Sequence, residues 1–244
     1  MCWIAVLGFA SELPTPTVPP GPVGSSQDRR AKKPFRASAS FETRTLVGWN
    51  VRIDTRLRSG DLGARAIGLL EDELREVARL VPEKAVDVLR KVPIWLCLDE
   101  GTGAGAEYHP DKGWLEKNGY NPDKAKAVEI GDAADFLREI RRQPMMVLHE
   151  LAHAYHDQAL GFGHAEIKAA YEAAVKAGTY ESVLFWDNRK VRHYALTDPM
   201  EYFAEATEAF FGVNDFFPFV RAELREHDPE ITRVLHKVWG ESVR

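Results

Sequence analysis

The stretch His149-Glu150-Leu151-Ala152-His153 decides the expected fold, because it places an HExxH pattern inside a long segment with helical apolar spacing. On an α-helix, residues four apart project from the same face on successive turns, so His149 and His153 could hold one metal ion. Glu150 lies beside them and would reach a metal-bound water without binding the metal itself. Two imidazole ligands, an open coordination position and a carboxylate base are typical of a zinc hydrolase.

The composition is that of a globular domain and indicates no unusual partner. The 244 residues are 45% hydrophobic and 28% charged, which are ordinary values. A net charge of -5 without a basic domain gives no indication of a nucleic-acid partner. No apolar run approaches the roughly 18 residues that cross a bilayer, so we expect no membrane span. Two cysteines, Cys2 and Cys97, provide no disulfide framework.

The N-terminal 37 residues differ in composition from the rest of the chain. Residues 1–10 are apolar and end in Gly8-Phe9-Ala10, which is similar to a secretory cleavage site but lacks a positively charged start. Residues 11–37 contain six prolines and few large apolar side chains, a composition typical of a disordered linker. We therefore expect a signal remnant and linker over 1–37 and one catalytic domain over 38–244. A secreted or cell-envelope location follows from this interpretation, with a cytoplasmic one left open.

Alternating and helical apolar patterns predict an α+β domain. They indicate strands over 41–57, 93–98 and 127–130, a hairpin over 183–196, and helices over 61–80, 82–91, 132–142, 144–160, 165–176 and 199–211. Residues 127–130 precede the HExxH helix and are expected to be the edge strand, with which an extended peptide would pair. The Gly-rich loop 100–125 and the hairpin 183–196 are expected to wall the substrate site. Neither carries a readable specificity code, so the substrate-binding residues are unknown.

Two histidines do not complete a zinc site, so a third ligand is required. The extended metzincin pattern HExxHxxGxxH is absent. His156 lies seven residues after His149, and ligands spread over two helical turns span roughly 10 Å, too far for one ion. An acid from a later helix remains, and Glu201 stands four residues before Glu205 in the segment that starts at Pro199. Glu201 is the expected ligand, and Glu205 is the expected acceptor of a hydrogen bond from one histidine ring.

A competing interpretation treats this acidic segment as ordinary helix chemistry. Asp198, followed by Pro199 and then by Glu201 three residues on, is a capping-box-like helix start. Glu201, Glu205 and Glu208 could equally form a solvated acidic stripe on one face. The HExxH pattern favours the ligand interpretation, because it supplies the incomplete site that such an acid would complete.

The residues from 144 to 211 resemble a known family. HELAH, then Tyr194, then Glu201-Tyr202-Phe203-Ala204-Glu205-Ala206 is similar to the protease domain of anthrax lethal factor and its secreted bacterial relatives. The resemblance implies a zincin-like metallopeptidase fold of the gluzincin type, with a small mixed sheet, an HExxH active-site helix and a mainly helical C-terminal part. It implies His149, His153 and Glu201 as zinc ligands, Glu150 as general base and Glu205 as the carboxylate behind a ligand. It also implies that Tyr194 supports the tetrahedral intermediate. The delivery and targeting domains of lethal factor have no counterpart here.

The expected function is a zinc-dependent metallopeptidase acting on a peptide or protein. Glu150 would take a proton from the attacking water and pass it to the leaving amine. The alternative is a catalytically silent zinc-binding module that uses the fold for protein or cell-envelope binding, against which the intact Glu150 argues. In a third interpretation the HExxH pattern is coincidental and no zinc binds. The oligomeric state and the substrate stay open.

Overall fold

The computed structural model describes residues 35–100 and 105–240. The expected signal remnant over 1–10 and nearly all of the expected linker over 11–37 lie outside the described residues. Within them, helices and a small mixed sheet occur together, so the α+β prediction is confirmed. Among the described helices, none is both long and apolar enough to cross a bilayer.

A five-stranded mixed sheet forms one layer, with the strand order β1-β2-β3-β5-β4. The strands are β1 (Phe41–Leu46), β2 (Trp49–Asp54), β3 (Ile94–Leu96), β4 (Glu107–Tyr108) and β5 (Val128–Ile130). β1 and β2 form an antiparallel hairpin, β2, β3 and β5 run parallel, and β4 is antiparallel to β5.

The edge-strand prediction for 127–130 is wrong. β5, formed by Val128–Ile130, lies between β3 and β4, and among the described strands the one at this edge of the sheet is β4 from the Gly-rich loop, with β1 at the opposite edge. A strand of two residues is too short to show alternation in a sequence, and it forms only through pairing with β5. The loop also contains the helix α3 (Lys112–Lys117).

The two faces of the sheet bury different residues because side chains alternate along each strand. One face forms the main core with apolar residues from the three parallel strands: Val51, Ile53, Ile94, Leu96, Val128 and Ile130. The other face carries a small cluster of Trp95, Cys97 and Ala127, against which Phe41 packs. The main core is the face toward the HExxH helix.

Helices cover the main-core face and form the C-terminal part. They are α1 (Asp61–Leu80), α2 (Glu83–Leu89), α4 (Ala133–Glu139), α5 (Met146–Tyr155), α6 (Ala165–Ala177), α7 (Pro199–Phe211), α8 (Arg221–His227) and α9 (Pro229–Trp239). The apolar stripe of α1 is buried, as its spacing predicts, and α1 contacts both α4 and α5. α5 packs along α7, which in turn contacts α6, α8 and α9. Every residue of α7 from Tyr202 to Phe211 is buried, so α7 is a central helix and not a surface one.

A buried ionic cluster supports the opposite face of the sheet next to the edge strand. The Lys124 ammonium lies 2.6 Å from a carboxylate oxygen of Glu100 and 2.5 Å from one of Glu129. It also donates to the Cys97 sulfur at 3.4 Å. His109 is also buried, and its Nε2 lies 2.7 Å from Oε2 of Glu129. These contacts connect β5 to the residues that directly follow β3 and β4, Cys97 and His109, and so support the edge strand.

Candidate metal centre

The helix α5 places both histidines of the HExxH pattern on its face toward α7. Its apolar residues Leu148, Leu151 and Ala152 are fully buried in the main core, which fixes the rotation of the helix. His149 and His153 then lie on successive turns, and their rings meet edge to face with centroids 4.7 Å apart. The four-residue spacing therefore brings the two rings together on one face, as helical geometry predicts.

The helix α7 begins where the acidic segment predicts. Asp198 is the N-cap, and its carboxylate accepts hydrogen bonds from the backbone N–H groups of Met200 and Glu201. Pro199 occupies the first helical position, where a missing N–H costs nothing. The cap and the ligand interpretations are thus compatible, because the capped first turn carries Glu201 toward α5.

Three donor atoms from these two helices converge on one point. Nε2 of His149 and Nε2 of His153 are 3.1 Å apart, and Oε2 of Glu201 is 3.2 Å from the first and 3.3 Å from the second. Zinc binds such atoms at about 2.0–2.1 Å, and a tetrahedron of that size has edges of about 3.3–3.4 Å. The donor set and its spacing therefore fit a tetrahedral zinc ion with one position left for water or substrate.

The electrostatics of the three groups favour a bound cation. Burial alone would raise the pKa of Glu201, but its hydrogen bonds with His149 and His153 outweigh burial and lower that pKa below the usual range. Glu201 is therefore a carboxylate anion at neutral pH. An anionic oxygen beside two imidazole nitrogens is the chemistry that zinc prefers.

A carboxylate behind His149 orients its ring, and this carboxylate is Glu208. Its Oε1 accepts a hydrogen bond from Nδ1 of His149 at 2.6 Å, and Gln143 donates to the same oxygen at 3.0 Å. The residue is fully buried, so the solvated-stripe interpretation does not hold for it. A proton fixed on Nδ1 leaves Nε2 free to bind metal.

The structure differs here from the expectation for Glu205. Its nearest carboxylate oxygen lies 4.0 Å from Nδ1 of His149, beyond hydrogen-bond distance, and Asn214 donates to its other oxygen at 2.9 Å. Burial, followed by repulsion from Glu208, raises the pKa of Glu205 well above the usual range. Helical geometry explains the difference, since seven residues return to within roughly 20° of Glu201 and four residues miss it by roughly 40°. The i, i+7 spacing of the two acids was the available signal in the sequence.

The carboxylate of Glu150 lies on the side of α5 that faces the edge strand. Its Oε2 accepts a hydrogen bond of 2.7 Å from the backbone N–H of Tyr108 in β4. Burial raises the pKa of Glu150, although the two histidines oppose that rise. The sequence located this carboxylate but gave no sign of its partner, because the hydrogen bond uses a main-chain atom of another element.

Tyr194 lies close enough to the candidate metal ligands that the charges of Glu201 and His149 influence its pKa. It begins a 3-10 turn, Tyr194–Leu196, which precedes Asp198 in the chain and packs against α7. Burial, followed by the charge of Glu201, raises its pKa to about 12. The hydroxyl therefore keeps its proton at neutral pH and can act as a hydrogen-bond donor.

His156 does not join the centre. The helix widens into a π turn, His156–Leu160, directly after α5, and the imidazole is buried between Phe162 and Phe203 at ring distances of 5.2 and 4.9 Å. Among the described residues, neither of its ring nitrogens has a hydrogen-bond partner. Burial lowers its pKa to about 4, so His156 is a neutral core residue.

Comparisons with known proteins add one similar structure. No protein-family model matches the chain, and no curated protein matches it significantly in sequence. The chain is similar to the structure of the Pro-Pro endopeptidase PPEP-2 from Paenibacillus alvei, with a TM-score of 0.43 and 19% identity over 80% of this chain and 99% of that chain. Similarity at this level transfers no residue role to this chain.

Proposed function

We propose that this protein is a zinc-dependent metallopeptidase of the gluzincin type, with His149, His153 and Glu201 as zinc ligands. The observation that carries the proposal is the convergence of three donor atoms at mutual distances of 3.1, 3.2 and 3.3 Å, which match a tetrahedral zinc site. A zinc ion held there would act as a Lewis acid and lower the pKa of its bound water to about 7.

Two further side chains supply the proton chemistry and the charge stabilisation. Glu150 would remove a proton from the attacking water and deliver it to the amine that leaves. Tyr194 would donate its hydroxyl proton in a hydrogen bond to the oxygen that becomes negative during attack, because its raised pKa keeps it protonated. Glu208 holds the ring of His149 in one orientation and tautomer. Glu205 accepts a hydrogen bond from Asn214 and makes none with the ring of His149.

The edge strand offers a place for an extended peptide substrate. β4 pairs with β5 on one side only among the described strands, and its other side faces the HExxH helix. Because the outward N–H of Tyr108 is already donated to Glu150, a peptide adding to this edge would pair through the other outward main-chain groups of the segment and would leave that hydrogen bond in place.

Two measurements separate this proposal from its alternatives. Purified protein should contain close to one zinc per chain, and Glu201→Gln should lose it, while the exposed control Glu172→Gln keeps it. Absence of zinc from the wild type would mean that the HExxH pattern is coincidental. Glu150→Gln should retain zinc but cleave a peptide library at least about 100-fold more slowly. Zinc-loaded wild type that cleaves no better than Glu150→Gln would instead support the silent zinc-binding module.

A further inference from the structure

The edge strand presents its main chain directly to the carboxylate of Glu150. In the antiparallel pair β4–β5, His109 donates its N–H to Ala127 and accepts from Lys126. Neighbouring residues of a strand direct their backbone groups to opposite sides, so Tyr108 directs its N–H away from β5. That N–H donates to Oε2 of Glu150 at 2.7 Å.

The side chain of Tyr108 is held by the same helical segment that carries Glu150. Its hydroxyl donates to Asp157 at 2.6 Å and accepts from Gln158 at 3.0 Å. Lys126, from the turn before β5, pairs with the same oxygen of Asp157 at 2.5 Å. Glu150 and Asp157 are seven residues apart, so Tyr108 contacts this segment at two points, one through its backbone and one through its hydroxyl.

We propose that Tyr108 is a positioning residue for Glu150: its main-chain N–H fixes the carboxylate, and the contact of its hydroxyl with Asp157 fixes the strand that carries this N–H. The catalytic consequence rests on the proposed function, whereas the contact itself does not. A carboxylate side chain has several rotamers, and one directed hydrogen bond from a fixed strand selects among them. Proton transfer requires a base within hydrogen-bond distance of the water, so the selected rotamer sets the rate.

The contact is tested first by amide hydrogen exchange in the metal-free full-length protein. Glu150→Ala removes the acceptor, so the amide of Tyr108 should exchange at least about tenfold faster. Glu150→Gln keeps a carbonyl oxygen at the same place and should retain most of the protection. The amide of His109, which donates to Ala127, is the internal control and should not change in either variant.

Two outcomes of this experiment would overturn the proposal. One is an unchanged exchange rate for the Tyr108 amide in Glu150→Ala, and the other is an equal acceleration at His109, which would show loss of the whole strand. Because neither zinc nor cleavage enters the measurement, its failure is distinguishable from failure of the proposed function.

The catalytic part is tested with Tyr108→Phe and Asp157→Asn, which loosen the strand but leave the backbone N–H in place. Both variants should lower kcat about tenfold, because small misplacements of a base are costly, with KM and zinc content unchanged. In the Glu150→Gln background neither should have a further effect, since the residue acts through Glu150. The matched control is Asp87→Asn, which removes an exposed ion pair with Arg90 on α2 and should leave kcat unchanged. A raised KM, lost zinc, or a full effect in the Glu150→Gln background would refute the positioning role.

Discussion

Replacing Glu208 by glutamine should weaken zinc binding, whereas the same replacement at Glu205 should leave it nearly unchanged. The reason is the position of the two carboxylates relative to Nδ1 of His149, which lies 2.6 Å from Glu208 and 4.0 Å from Glu205. Only the first distance is a hydrogen bond. The raised pKa of Glu205 also favours its neutral form, which an uncharged glutamine mimics.

The size of the effect follows from what each substitution removes. Loss of a carboxylate that orients a metal-binding histidine weakens metal affinity about 10- to 100-fold, which corresponds to about 1.4–2.8 kcal/mol. Glu208→Gln keeps an acceptor oxygen and loses only the charge, so we expect a loss of zinc affinity of about 10-fold. Glu208→Ala also removes the acceptor of Gln143, so we expect the higher value. Glu205→Gln should change the affinity by less than about twofold.

The assay is competition for zinc with a chromophoric chelator at pH 7, applied to the wild type and the three variants. The unfolding midpoint of each metal-free variant, measured by circular dichroism, controls for general damage to the fold. If Glu205→Gln weakens binding as much as Glu208→Gln or more, the reasoning from the i, i+7 spacing is refuted. Equal binding by Glu208→Ala and the wild type would refute it as well.

Three further predictions concern stability. Burial lowers the pKa of His156 to about 4 from about 6.5, so between these pH values the unfolded chain binds a proton that the folded chain does not. About 3 kcal/mol of folding stability is therefore fully present above about pH 6.5 and is lost as the pH falls toward 4. The free energy of unfolding of the metal-free protein should therefore fall more steeply over that range than in His156→Gln, and parallel curves would contradict this. Lys124→Met leaves the buried carboxylate of Glu129 and the partly buried carboxylate of Glu100 without their cation, and it should cost about 3–5 kcal/mol in urea unfolding. The exposed Lys112→Met should cost less than about 0.5 kcal/mol, and similar costs would contradict the ionic role. Gly63→Ala places a methyl group 2.0 Å from the backbone carbonyl oxygen of Leu57, whereas Gly68→Ala meets nothing within 4 Å. Gly63→Ala should lower the thermal midpoint, because overpacking costs about 1–3 kcal/mol. Gly68→Ala should raise the midpoint, because alanine favours a helix by about 0.5–1 kcal/mol over glycine. A lower midpoint for Gly68→Ala would contradict the open space beside that residue.

Local patterns in the sequence predicted much of the architecture, because helices and caps depend on residues only a few positions apart in the chain. The periodic apolar residues of α1 give a helix with the expected bounds, Asp61–Leu80. Asp198 and Pro199 mark the start of α7 because capping chemistry lies within four residues. The expected edge strand failed for the opposite reason, since β4 has two residues and exists only through its pairing with β5.

The candidate site likewise depends partly on local sequence and partly on tertiary packing. The sequence by itself determined which side chains of α5 share a face, because a helix fixes the relation of His149 to His153. It also indicated Glu201 as the expected third ligand. Only the tertiary structure decided which carboxylate reaches Nδ1 of His149, since that depends on how α7 lies against α5. It also decided what holds Glu150, because the donor is a backbone N–H of Tyr108. Every residue carries that N–H, so no side-chain pattern can indicate where the folded chain will direct it.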